Sequence, residues 1–117
     1  MRILVTGSRN WTDRAAIAQA LLDLRMEGPP VIVHGACPTG ADAIADELAT
    51  SWGWEIERHP ADWDRHGKAA GPLRNQEMVD AGADVCVAFP HGDSRGTRDC
   101  MKRATAAGLR LIVVDPA

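Results

Sequence analysis

Three times in this chain of 117 residues, a run that reads as a buried strand breaks into a glycine-bearing loop and then opens an amphipathic helix. The runs are Ile3-Leu-Val-Thr-Gly7-Ser-Arg9, Val31-Ile-Val-His-Gly35-Ala-Cys-Pro-Thr-Gly40-Ala-Asp42 and Val85-Cys-Val-Ala-Phe-Pro90-His-Gly92-Asp-Ser-Arg-Gly96-Thr97. In a parallel sheet such loops emerge together at the carboxyl edge. Helix N-termini there present unpaired backbone N–H groups and positive dipole ends. Three of them converging predict a phosphate or nucleotide cradle.

Strands are predicted over 2–6, 31–33, 54–58, 85–89 and 109–114. Between them the first helix starts near Thr12-Asp13, a cap and a first-turn acid, and is stopped by Gly28-Pro29-Pro30. Its Ile17, Leu21 and Leu24 follow the spacing of one buried stripe. Further helices are predicted over 41–52, 72–81 and 97–107, stopped by Gly53, Gly82 and Gly108. Segment 59–71 has no periodicity and is expected to be a long polar loop, a kind usually tied to function or mobility. Strands alternating with helices, joined by right-handed crossovers, give an α/β fold. It is a single Rossmann-like three-layer domain over 1–117 with a five-stranded parallel sheet in order 3-2-1-4-5. In that order strands one and four are neighbours whose crossovers diverge, and a crevice opens at their carboxyl ends.

The net charge of -3 argues against broad duplex binding, which needs a positive surface, and makes a nucleic-acid partner unexpected. Three cysteines without CxxC spacing suit a reduced compartment, and no apolar run is long enough to span a bilayer. A cytoplasmic chain without a membrane partner is expected. Nothing in the sequence requires a cofactor, and His59, His66 and His91 lack metal-ligand spacing.

Thr6-Gly7-Ser8-Arg9 lacks the GxGxxG dinucleotide fingerprint but offers Gly7, Ser8 and an arginine fork for phosphate in Arg9, with Trp11 to stack on a base or wall the pocket. The segment from Gly35 to Gly40 has P-loop form, yet Ala41 and Asp42 stand where lysine and Ser/Thr would hold phosphate and magnesium. Asp42 either favours the helix dipole or accepts bonds from a ribose hydroxyl or base amine. His34 approaches from the strand end. The strongest phosphate signal is Pro90 to Thr97, with Gly92, Ser94, Arg95, Gly96 and Thr97 just ahead of a helix. Arg74 and Asn75, behind the long segment, can reach the same crevice.

Taken in order, Gly7-Ser-Arg-Asn-Trp11, His34-Gly-Ala-Cys-Pro-Thr-Gly-Ala-Asp42, His59-Pro-Ala-Asp-Trp63, Gly67-Lys-Ala-Ala-Gly-Pro-Leu-Arg-Asn75 with Met78, and Ser94-Arg-Gly-Thr97 resemble the Smf/DprA-LOG (SLOG) superfamily, in particular its small YspA-like branch. The resemblance implies a nucleotide or nucleotide-derived ligand and, because relatives often dimerise, a homodimer. Its LOG branch implies an alternative, hydrolysis of the N-glycosidic bond of nucleoside monophosphates, with Arg74 orienting phosphate and Asp99 as the acid. The family glutamate of PGGxGTxxE falls on Cys100, and Asp99 lies about 100° round the helix from it. The DprA branch implies a third reading, single-stranded DNA binding, for which Trp11, Trp63 and the stretch 65–68 are the only candidates.

Overall fold

The structure is a computed structural model and describes residues 1–116. β1 (Arg2–Gly7), α1 (Arg14–Leu24), β2 (Val31–His34), α2 (Ala41–Trp52) and β3 (Glu55–Arg58) form the first half. α3 (Trp63–His66), α4 (Ala70–Ala81), β4 (Val85–Phe89), α5 (Arg95–Ala106) and β5 (Arg110–Val113) form the second. Every strand pair is parallel and the order is β3-β2-β1-β4-β5, the expected Rossmann-like arrangement.

Alternation along the strands builds two cores. Ile3 and Val5 of β1, Ile32 of β2 and Val85, Val87 and Phe89 of β4 meet Ile17, Leu21, Ala45 and Leu48 of α1 and α2. Leu4, Val33 and Cys86 point the other way, onto Met78 and Val79 of α4 and Cys100 and Ala104 of α5. β1 therefore has four consecutive buried residues, and the edge strands β3 and β5 only partly buried ones.

Segment 59–71 departs from the expected loop. Asp62 caps a single helical turn by accepting the Arg65 N–H at 3.1 Å, and a 3-10 turn, Gly67–Ala69, runs on into α4. One turn is too short to display a 3.6-residue period, which is why the pattern is invisible in sequence. Pro72 sits in the first turn of α4, where a missing N–H costs nothing. α5 begins at Arg95, two positions before the predicted start, because Ser94 turns the chain with φ 42° and its carbonyl already accepts the Arg98 N–H at 3.0 Å.

A chain of polar side-chain contacts ties the sheet together at β3. Arg2 reaches Glu57 at 2.7 Å, and His59 meets the same carboxylate at 2.8 Å and Glu77 at 3.2 Å. The hydrogen bonds from Arg2 and His59 pull the Glu57 carboxyl from its ordinary 4.5 to about 2. A folded value below the unfolded one stabilises the fold above pH 4.5, and that contribution disappears as the pH falls towards 2. Glu57→Gln is expected to shrink the loss of urea-denaturation midpoint across this window. An unchanged loss would place the acid sensitivity elsewhere.

Candidate functional site

β1 and β4 run side by side from Ile3 opposite Val85 to Gly7 opposite Phe89, while α1 and α5 leave towards opposite faces. The split opens a cavity of about 570 Å³ at the carboxyl edge of the sheet. Gly7, Ser8, Arg9 and Asn10 form its central wall, Gly35, Cys37 and Asp42 one side, Arg74, Asn75 and Met78 the floor, and His91 to Thr97 the far side.

Backbone bonds lock the first two loops together. Ser8 donates to the Phe89 carbonyl at 3.0 Å and accepts the Ala41 N–H at 3.1 Å, and Thr39 Oγ1 donates to the Arg9 carbonyl at 3.0 Å. Gly40 and Ala41 thus build the wall from behind and do not line the cavity. At Gly7 a Cβ would overlap the Ala41 Cβ and stand 3.0 Å from that of Phe89, so this glycine is a packing requirement.

Three predicted ligand residues are turned inward. Trp11 is 4% exposed, meets Phe89 edge-on at 5.4 Å and donates its indole N–H to the Asp13 carbonyl at 2.9 Å; it belongs to the core and walls no pocket. Pro90 is buried at the end of β4. His34 is buried too, and its Nδ1 accepts the Ala36 N–H at 2.9 Å, which puts the ring proton on Nε2, 2.6 Å from Asp46. This histidine holds Ala36 in a left-handed turn with φ 58° and shapes the loop without facing the cavity.

Arg74 is the hub of the floor. Its Nε donates to Asn75 Oδ1 at 3.0 Å and its Nη1 to the Gly35 carbonyl and, at 3.5 Å, to that of His59. The guanidinium lies so close over Gly35 that a Cβ there would stand 2.7 Å from its central carbon. Asn75 continues the chain, donating to the Gly96 carbonyl at 3.1 Å and to Asp99 at 3.0 Å.

Asp99 does not reach the cavity. It pairs with Arg103 at 2.8 Å and lines a shallow outer groove with Gln76 and Lys102. Burial pushes its carboxyl up, but the bonds from Arg103 and Asn75 outweigh that and leave it below the ordinary range. The position one step on, Cys100, is fully buried against the sheet. A turn of about 100° per residue thus puts one of these neighbours outside and the other in the core. The expected catalytic carboxylate of α5 is therefore absent from the cavity wall.

The N-terminus of α5 is open. α1 and α3 are capped by Asp13 and Asp62, whereas α2, α4 and α5 carry no side-chain cap; at α5 the N-cap residue Ser94 donates its hydroxyl to Thr97 Oγ1 at 2.7 Å and caps nothing. The left-handed backbone of Ser94 is costly for a residue with a side chain, by about 1–2 kcal/mol. Gly96 has no such conformational need, and a Cβ on it would meet nothing within 4 Å. Three arginines, Arg9, Arg74 and Arg95, line the cavity against two carboxylates, Asp42 and Asp93. The site is cationic inside a chain of net charge -3.

Asp42 is the deep carboxylate. It is 7% exposed, in the first turn of α2, and accepts the Cys37 N–H at 3.3 Å. Burial raises its carboxyl above the ordinary range, opposed first by the neighbouring His34 and then by the Cys37 N–H, Arg74 and the Gly35 N–H. Sequence reading alone did not separate this role from that of a helix-dipole partner, since both use an acid at the same position. Asn10, His91 and Asp93 line the cavity too, and no motif in the sequence marks them as ligand residues, although each is next to a predicted one.

The family description "YspA, cpYpsA-related SLOG family" matches residues 1–66. The "Gene 61 protein" of Mycobacterium phage D29 is 50% identical over 122 aligned residues, which cover 95% of this chain and 94% of that one. No solved structure matches the chain.

Proposed function

Because the chain belongs to the YspA, cpYpsA-related SLOG family, we propose that its carboxyl-edge cavity binds a nucleotide or nucleotide-derived ligand, with a phosphate against the N-terminus of α5. The observation that carries this reading is the open helix end beside an empty glycine position. The first N–H groups of α5 have no side-chain cap, Gly96 leaves its side-chain space vacant, and Arg74 and Arg95 line the same cavity. Partial positive charge, free donors and arginine forks together favour an oxyanion over a neutral ligand.

Calorimetry against nucleoside monophosphates, ADP-ribose, NAD and cyclic dinucleotides tests the reading, and silence across the panel would sink it. Assaying the same mixtures for free base separates binding from cleavage of the N-glycosidic bond. Gly96→Val is the sharper probe, because the fold leaves room for the new side chain. Its melting temperature is expected to stay within a few degrees of the parent's while affinity falls about tenfold or more, as for a lost charge-assisted contact. Unchanged affinity would move the phosphate elsewhere.

A further inference from the structure

The cavity is lined without a single tryptophan, tyrosine or phenylalanine among the described residues. Trp11 and Phe89, the aromatics nearest to it, are spent on each other in the core. The one ring on the wall is the small imidazole of His91, so a base lying in this site lacks the broad platform on which stacking contributes about 1–3 kcal/mol per base. The polar groups are instead set at two places. One is the α5 terminus on the β4 side. The other is Asp42 on the β2 side, about 10 Å away in strand spacings across β1. A continuous hydrogen-bonded floor connects them, from the Gly96 carbonyl through Asn75 and Arg74 to Gly35, beside the loop whose Cys37 N–H holds Asp42.

A carboxylate held this deep, with no lysine or arginine paired directly to it among the described residues, opposes the binding of a second anion and favours hydrogen-bond donors. We propose that Asp42 reads the sugar hydroxyls of the ligand, so that the site recognises the ribose phosphate portion of a ribonucleotide and is tolerant of the base. This inference rests on the nucleotide reading above and narrows it. A ligand with a phosphate but no neighbouring hydroxyls satisfies only half of the polar groups. A ligand with a second phosphate on the sugar hydroxyls meets like charge at Asp42.

The test uses the whole chain and five probes: AMP, UMP, GMP, 2′-deoxy-AMP and ribose 5-phosphate. The expected result is affinities within about fivefold for the three ribonucleotides, with ribose 5-phosphate close behind. The deoxy analogue should be about tenfold weaker or more, the usual cost of leaving a charged partner without its hydrogen bond. Asp42→Asn is expected to bring AMP down to the deoxy level and to erase the difference between the two. The same variant should melt at a higher temperature at pH 7. A folded carboxyl raised by burial costs stability once the pH exceeds its unfolded value, and the amide removes that cost.

Equal binding of AMP and 2′-deoxy-AMP by the parent chain overturns the proposal and leaves the nucleotide reading intact, and that comparison needs no variant. Strong preference for one base, with ribose 5-phosphate unbound, overturns it too and assigns Asp42 to a base edge. Absence of binding by all five overturns this proposal, and the nucleotide reading then stands or falls on ADP-ribose, NAD and the cyclic dinucleotides.

Discussion

Gly40→Ala is expected to destabilise the protein by about 3 kcal/mol or more, which at this size lowers the melting temperature by roughly 10 °C or more. Two independent costs add. The backbone at Gly40 has φ 75° and ψ -148°, a region essentially closed to residues with a side chain. The new Cβ would also overlap the Ser8 carbonyl and the Arg9 Cα. Neither neighbour can swing aside, because both are backbone. The damage therefore propagates to the bonds that join the first two loops, Ala41 N–H to Ser8 O and Thr39 Oγ1 to Arg9 O. Thermal unfolding followed by circular dichroism measures it, with Gly53→Ala as comparison. That glycine is also left-handed, with φ 74°, but has nothing within 4 Å of its would-be Cβ, so only the conformational cost applies. Equal losses at the two positions would refute the close-approach argument.

Arg74→Ala is expected to weaken ligand binding about a hundredfold, the scale of truncating one partner of a desolvated charge pair. The effect has an electrostatic and a structural component. Removing the guanidinium takes a positive charge from the cavity. It also strips the Gly35 carbonyl and Asn75 Oδ1 of their donors, and so loosens the residue that holds Gly96 and the start of α5. Arg74→Lys separates the two. An ammonium keeps the charge but cannot bridge Gly35, Asn75 and a ligand at once, so it should recover only a small part of the affinity. Full recovery by lysine would reduce Arg74 to a point charge. Calorimetric titration with AMP reads both variants.

The sheet order was legible because its causes are local. Runs such as Val31-Ile-Val-His and Val85-Cys-Val-Ala-Phe, alternating with helical segments, fit strands covered on both faces in a parallel sheet, and glycine stops at Gly53 and Gly82 mark where each helix must turn back. The loops that meet at the carboxyl edge follow from that order. What sequence did not reveal is direction. Arg9 and Trp11 are two residues apart in one motif, yet the first lines the cavity and the second packs on Phe89, because the choice depends on a strand distant in sequence. Asp99 and Cys100 differ for a reason the spacing does carry: Thr97, Cys100 and Ala104 recur three and four apart along α5 and turn together onto the sheet, which leaves Asp99 outside. The turn at Trp63–His66 was hidden for another reason, since a helix of four residues carries its signal in one cap and no repeat.

The cavity's two walls differ in how they are braced. Loops one and two are bolted to each other and, through Ser8, to β4. The far wall is fastened chiefly to its own helix, by Arg98 reaching back to the carbonyls of Asp93 at 3.0 Å and Gly92 at 3.2 Å. In mechanical terms the site is a vice with one fixed jaw, and the other jaw is carried on α5. Any ligand that bridges the two does what no hydrogen bond of the first loop to residues 91–95 does in the described structure, and so fixes the distance between them.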